Sequence, residues 1–419
     1  MGSVLSFRGF FFSPRAGIQL AVGGLLLWTA SLPFAMAQTV RFTSISLFVI
    51  LGGFLVQRIF FRMPSGFPPL RKLRLFLPLL LLSLLPLLHF IPSGENQREL
   101  LLGLPLLLLP PVFLLMSDDF PVWLPKMLLL VLTASFFVLL VFLLSKGPFR
   151  VWMSVRSETE IPDLFLLARP QLGLLCGMVY FLLFHSIPPL RRPLPFLLLF
   201  LFFALILWWI LAKIALIAFF LAHLAWLIYL LRNRPLILIS FCALLFLVSL
   251  AMAIRIQQSG WVAEALSREG LSFEKYPKAL VNSINSRIVL WKASAGLLAD
   301  GSHILLGLPS GKLESELQKA TARYNGYLAG QKLNPHNQFL YLMLHYGLPG
   351  FLVFCLLWIS LFRQVKKQVP LVCLVFFFLV CSQTEIFIDR EFGIQLYLLL
   401  FLLMAFFDVK FLGPKIRPL

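Results

Sequence analysis

Between Leu194 and Leu231 the chain reads LPFLLLFLFFALILWWILAKIALIAFFLAHLAWLIYLL, a stretch in which Lys213 is the only charged side chain. Such a run is too apolar for a soluble surface and long enough for two membrane crossings, each needing about 20 residues for a hydrocarbon core of about 30 Å. Runs of this kind recur along most of the 419 residues. With 60% hydrophobic and only 13% charged residues, the chain lies far from soluble usage, where about a quarter of residues are charged. Lipid offers no partner to backbone groups, so helices are the economical way across. The expected fold class is an all-α integral membrane protein. Twelve transmembrane helices are expected, at 16–36, 43–61, 75–91, 99–116, 126–145, 170–188, 194–211, 213–231, 235–254, 349–363, 369–384 and 392–409.

The connections sort by charge. One alternate set carries Arg58, Arg62, Arg71, Lys72 and Arg74, then Arg191 and Arg192, then Arg232 and Arg234, then Arg363, Lys366 and Lys367. Short basic loops stay in the cytoplasm. Arg8 and Arg15 before the first span, and Lys410, Lys415 and Arg417 after the last, put both termini there too. Ala35–Gln38 makes a weak cleavage site, so the first span reads as retained.

The formal charge of +19 therefore has two sources. About half of the Lys and Arg residues orient the chain, and the rest fall on the outer side. There the stretch 255–348 carries ten Lys/Arg against six Asp/Glu and has the only soluble-like composition in the chain. Three regions follow: 1–254 with spans one to nine, 255–348 as an external loop domain, and 349–419 with the last three spans and the tail. No nucleic acid is expected as a partner, because the cytoplasmic basic clusters are short loops without a reader fold. Cys176, Cys242, Cys355, Cys373 and Cys381 fall in or beside spans, so neither a disulfide framework nor a thiolate metal site is expected.

Polar punctuation in this chain is concentrated in LNPHNQFLYLMLHYGLPG, Leu333–Gly350. Asn334 is a good N-cap and Pro335 suits a first helical position, which would set His336 in an opening turn of unpaired N–H groups. Leu340, Met343, Leu344 and Gly347 follow at helical spacing, and Gly347 with Pro349 ends the element. The positive helix end disfavours imidazolium, leaving a neutral His336 able to take a proton as a general base. The bland alternative is a structural histidine beside a cap. His345, nine residues on, would lie roughly 13 Å along the axis and on the other side, so the two do not make a metal pair. Metal chemistry has no HExxH, paired-carboxylate or Cys/His signature to rest on in this loop.

Two more cations stand out. In VNSINSRIVLWKASAGLLAD, Val281–Asp300, Asn285 or Asn282 could cap a helix whose apolar face is Ile288, Trp291, Ala295 and Leu298. Arg287 would then sit in the first turn, where a cation opposes the dipole unless an anion such as a phosphate binds beside it. An arginine snorkelling to headgroups is the alternative. Lys213 falls at the tip of a tight apolar hairpin, at the outer membrane boundary, where cations are functional candidates by default. His223, three turns deeper, suits packing or hydrogen bonding.

Taken together, the spans, the long loop before the tenth span, the R-x-x-x-W pair Arg287 and Trp291, and HNQFLYLMLHYGLPG resemble the O-antigen ligase family of bacterial inner membranes. The similarity covers roughly Arg169 to Met404. What this resemblance implies is a metal-independent, inverting glycosyltransferase of the GT-C superfamily, active on the periplasmic face and needing no cofactor. It would move a glycan from undecaprenyl diphosphate to a sugar hydroxyl of lipid A–core, working as a monomer among membrane lipids. Lys213 and Arg287 would bind the diphosphate, and His336 would be the base. Lys213 departs from the arginine usual at its position. SQTEIFIDREFGIQL resembles the family's polar break before the last span, which adds Arg390 and Glu385, and Arg169 at the mouth of the sixth span could assist. An O-antigen polymerase or a protein O-oligosaccharyltransferase would use the same donor; a multispan transporter and a non-enzymatic scaffold are the readings from other classes. A transporter predicts charges deep in several spans, whereas here they gather on one face.

Overall fold

The structure, a computed structural model, describes residues 16–32, 40–61, 70–89, 94–116, 120–121, 123–145, 169–210, 212–231, 283–301, 303–309, 312–324, 326–329, 334–388 and 391–407. The regular elements in these stretches are all helical: α1 (Ala16–Ser31), α2 (Val40–Phe61), α3 (Leu70–Leu84, extended by a 3-10 turn, Leu85–His89), α4 (Gly94–Met116), α5 (Leu124–Ser145), α6 (Arg169–Ser186), α7 (Pro193–Trp209), α8 (Lys213–Leu231), α9 (Ser283–Ala299), α10 (Leu313–Ala322), α11 (Gln338–Val365), α12 (Val369–Ser382) and α13 (Glu391–Phe407). A short 3-10 turn, Pro188–Arg191, links α6 to α7, and a single helical turn, Gly326–Ala329, follows α10. Among the described residues a helix lies in every expected span except 235–254, which is outside the described residues together with all of 255–282. By length and composition, Leu124–Ser145, Lys213–Leu230 and Gln338–Val365 suffice to cross a membrane; eight further apolar helices are shorter.

A helix apolar all round has no polar face to give to water, and α5 shows what it does instead. Leu124, Leu128, Leu132, Phe136, Leu139 and Leu143 are buried at helical spacing, while Leu130, Val138, Val141 and Leu144 on the other side are exposed. The second stripe is lipid-facing in character. The last helix is different. From Phe392 to Met404, α13 is buried on every side and packs on α3, α4, α5, α6 and α11, so the final apolar run is the central post of the bundle. Where helices lack large side chains they close further: a Cβ on Gly17 of α1 would lie 2.5 Å from the Gly53 carbonyl oxygen of α2.

Three helices set the end of the bundle that matters for function. Gly173 meets Ala212 and Ala215, and Tyr180 meets Phe219, so α8 runs parallel to α6. Cys373 lies beside Tyr180 and Phe377 against Gly177 and Phe181, so α12 runs antiparallel to both. The starts of α6 and α8 and the exit of α12 therefore share one end. Between α6 and α8, His223 Nδ1 donates to the Phe219 carbonyl at 2.7 Å, which leaves Nε2 to accept from the Tyr180 hydroxyl at 2.7 Å. His223 is a hydrogen-bonding residue of the core.

The break expected at Gly347 is present. Gly347 has φ 64° and ψ −152°, and the chain re-enters helix at once, so α11 is two helices joined at a kink. The kink is bonded to a turn from the preceding loop: Leu308 N–H donates to Leu344 O at 2.7 Å and Leu348 N–H to Ile304 O at 2.8 Å. Gly307 of that turn has φ 77°, and a Cβ there would lie 2.4 Å from the His345 carbonyl oxygen, so the two backbones need glycine on both sides.

Candidate functional site

Helix α9 starts at Ser283, which places Asn285 inside the first turn rather than at the cap and moves Arg287 to the second turn; Asn282 lies outside the described residues. The buried face is Val289, Leu290 and Ala293, with Leu297 half-buried, whereas Ile288 is exposed. The expected face was off by one position, because apolar residues nearly encircle this helix and the pattern alone does not choose among them. What turns the helix is Arg287. Its Nε donates to the Thr384 carbonyl at 3.1 Å and its Nη2 pairs with Glu385 Oε1. Thr384 follows the last turn of α12, where carbonyls lack helical partners and a cation is favourable. The anion expected beside Arg287 is thus met within the chain by a carboxylate.

His336 also departs from its expected place. The N-cap of α11 is Asn337, in extended conformation, whose side chain accepts from Phe339 N–H at 2.9 Å and Leu340 N–H at 3.0 Å. Asn334 instead accepts from the His336 N–H at 3.1 Å. That local turn competes with the helix, so Pro335 is not the first helical residue and His336 precedes the cap. With φ 45°, His336 is the one non-glycine residue in the left-handed region among the described residues. Such positions persist where surrounding contacts over-determine them.

The contact that holds the ring is Glu385, whose Oε2 lies 3.3 Å from His336 Nδ1. A carboxylate only accepts, so in the neutral imidazole the proton sits on Nδ1 and Nε2 is the acceptor. One carboxylate thereby serves a guanidinium on one oxygen and an imidazole on the other. Its side chain is 12% exposed, that of Arg287 16% and that of His336 28%, so the imidazole is the most open of the three.

The backbone just after Glu385 is held by a residue that sequence reasoning passed over. Gln338, fully buried in the first turn of α11, accepts from Phe387 N–H at 2.8 Å and Ile388 N–H at 2.9 Å. It ties the break after α12 to the helix start beside His336. Its signal was a polar side chain inside HNQF, next to apolar Phe339 and Leu340, with no helix end of its own to serve. Replacing Gln338 by Leu leaves the buried Phe387 N–H without an acceptor, at a cost of about 1–3 kcal/mol, and the half-buried Ile388 N–H at a smaller one. A lowered melting temperature of the purified protein, with loss of any activity that depends on the Glu385–His336 contact, is the expected result.

The structure brings Arg287 and His336 together through Glu385. Lys213, the exposed first residue of α8, is at the same end of the bundle but joins none of the three by hydrogen bond or ion pair. Arg169 opens α6 at that end, and its side chain lies outside what the structure describes. Arg390 also lies outside the described residues.

Two comparisons bear on the chain. Residues 198–355 match the family profile described as O-antigen ligase, a stretch holding Lys213, Arg287 and His336, but not Arg169, Glu385 or Arg390. A search of curated proteins finds no match.

Proposed function

We propose, from the O-antigen ligase family match of residues 198–355 as premise, that the site transfers a glycan from undecaprenyl diphosphate to a sugar hydroxyl of lipid A–core. The observation that carries this reading is the Arg287–Glu385–His336 cluster, two of whose members lie within the matched stretch. Twelve spans of GT-C type, with both termini in the cytoplasm, complete the proposal. Its orientation is supported by charge. Arg192, between α6 and α7, and Arg363, Lys366 and Lys367, at the turn from α11 to α12, are exposed at the end of the bundle away from Glu385. Short basic loops of this kind face the cytoplasm, which supports a periplasmic side for the cluster.

In the proposed reaction His336 Nε2 takes the proton of the acceptor hydroxyl as its oxygen attacks the anomeric carbon. The bond from that carbon to the diphosphate oxygen breaks on the opposite face, and its electron pair leaves with the diphosphate. The product has inverted configuration. Glu385 holds the imidazole in the tautomer that accepts, and stabilises the imidazolium that forms. Arg287 and Lys213 stabilise the charge that grows on the leaving group, which is already a weak base and needs no general acid. The polyprenyl tail lies among the spans.

The test is purified full-length protein with lipid-linked glycan and lipid A–core, in the presence of chelator, scored for joined product. No product under these conditions overturns the proposal, as does product that forms only on another glycan or on protein, the outcomes expected of a polymerase or a protein-directed transferase. Lys213→Ala is expected to lower transfer about tenfold, or about 1.4 kcal/mol in barrier, while Lys213→Arg retains it. Unchanged turnover in Lys213→Ala removes that residue from the site.

A further inference from the structure

The turn between α9 and α10 carries three consecutive apolar side chains away from the protein. Ile304 is 36% exposed, Leu305 69% and Leu306 60%, in a part of the chain whose composition is otherwise the most polar. A turn tip that serves only as a connection is usually polar, and one with three large aliphatic residues is an exception that calls for an occupant.

Its surroundings identify that occupant. The turn is bonded to the α11 kink through Leu348 N–H to Ile304 O and Leu308 N–H to Leu344 O, and Gly347 lies against the Leu305 backbone. From this kink the second part of α11 runs on through the bundle, and Leu348, Leu352, Leu356 and Ile359 form an exposed apolar stripe along one of its faces. That stripe is the lipid-facing surface of a membrane helix, with the period of about 3.6 such a surface requires. Leu348, at its head, is the residue bonded to Ile304. The apolar tip is therefore continuous with a surface already in lipid, at the level where the spans end.

We infer that Ile304, Leu305 and Leu306 form an interfacial anchor, buried in the bilayer hydrocarbon at the end of the bundle that carries Arg287 and His336. The anchor fixes the height of the loop domain over the membrane. It acts through a rigid connection, since two glycines in left-handed conformation and two backbone hydrogen bonds hold the turn against the kink. The same first part of α11 has His336 at its other end, so the depth of the turn in the lipid sets the height of the imidazole. Nothing in this inference requires the glycan chemistry, and it stands or fails apart from it.

The experiment uses full-length protein in liposomes, in a Cys242→Ala/Cys355→Ala background, with a nitroxide on Leu305→Cys. Leu352→Cys is the lipid reference and Lys319→Cys, on the exposed face of α10, the water reference. The expected result is a high collision rate with oxygen and a collision rate with a water-soluble nickel complex several-fold below that at position 319, matching position 352. A profile matching position 319 overturns the anchor. An immobile label shielded from both reagents also overturns it, because protein rather than lipid then covers the tip. Leu306→Cys repeats the measurement should Leu305→Cys fail to insert.

Discussion

His336→Ala is expected to abolish glycan transfer while leaving protein level and membrane insertion unchanged. Loss of a positioned general base lowers rates by about 10²–10⁴-fold, and here the side chain has little structural work that alanine would undo. Its ring is the most open of the cluster, and its one described side-chain contact is the 3.3 Å approach to Glu385. Its backbone is held from elsewhere, by Asn334 on its own N–H and by Asn337 capping the helix that follows. The left-handed φ of 45° makes His336→Gly a useful companion, since it removes the imidazole and relaxes the backbone. Both variants should be inactive and folded. Near-normal transfer by either one, measured with donor and acceptor in excess, would remove His336 from the chemistry.

Arg287→Ala should be damaging in two separable ways. The carboxylate of Glu385 would stay largely buried without its guanidinium, which costs about 3–5 kcal/mol when one partner of a buried pair is removed. Loss of a donor aimed at developing charge costs a further 10²–10³-fold in rate. Read against Glu385→Gln alone, which gives the loss of transfer due to Glu385 itself, the double variant Arg287→Ala/Glu385→Gln distinguishes the two, because it removes the orphaned charge without restoring the cation. Its melting temperature should recover toward that of the native protein while transfer stays low and lipid-linked donor accumulates. Recovery of transfer along with stability would mean that Arg287 serves only to neutralise Glu385.

These expectations divide unevenly between what was legible in the chain and what was not. Helices were legible where apolar residues run unbroken, because in lipid no other local structure satisfies the backbone. The tight hairpin at Lys213 and the break at Gly347 were legible for a related reason, a cation between two apolar runs and a glycine before a proline. Cap assignments were less secure. LNPHNQ has two asparagines, each able to cap, and the choice fell to Asn337 once Asn334 had engaged the His336 N–H. The buried face of α9 was misplaced because its apolar residues leave no clear stripe. Arg287 selects the face by reaching a partner almost a hundred residues away.

By itself the sequence determined that this chain is a helical membrane protein, where its polar residues interrupt the apolar runs, and which cations and histidine lie at those interruptions. Only the tertiary structure decided that Glu385 stands between Arg287 and His336, that Gln338 holds the break in place, and that the last apolar run is the central post. The reason is physical. Helix formation in an apolar run depends on neighbours a turn away, and composition reports those. An ion pair or a buried amide depends on which helix ends the packing brings side by side, and residues 287, 336 and 385 carry no mark of one another until it does.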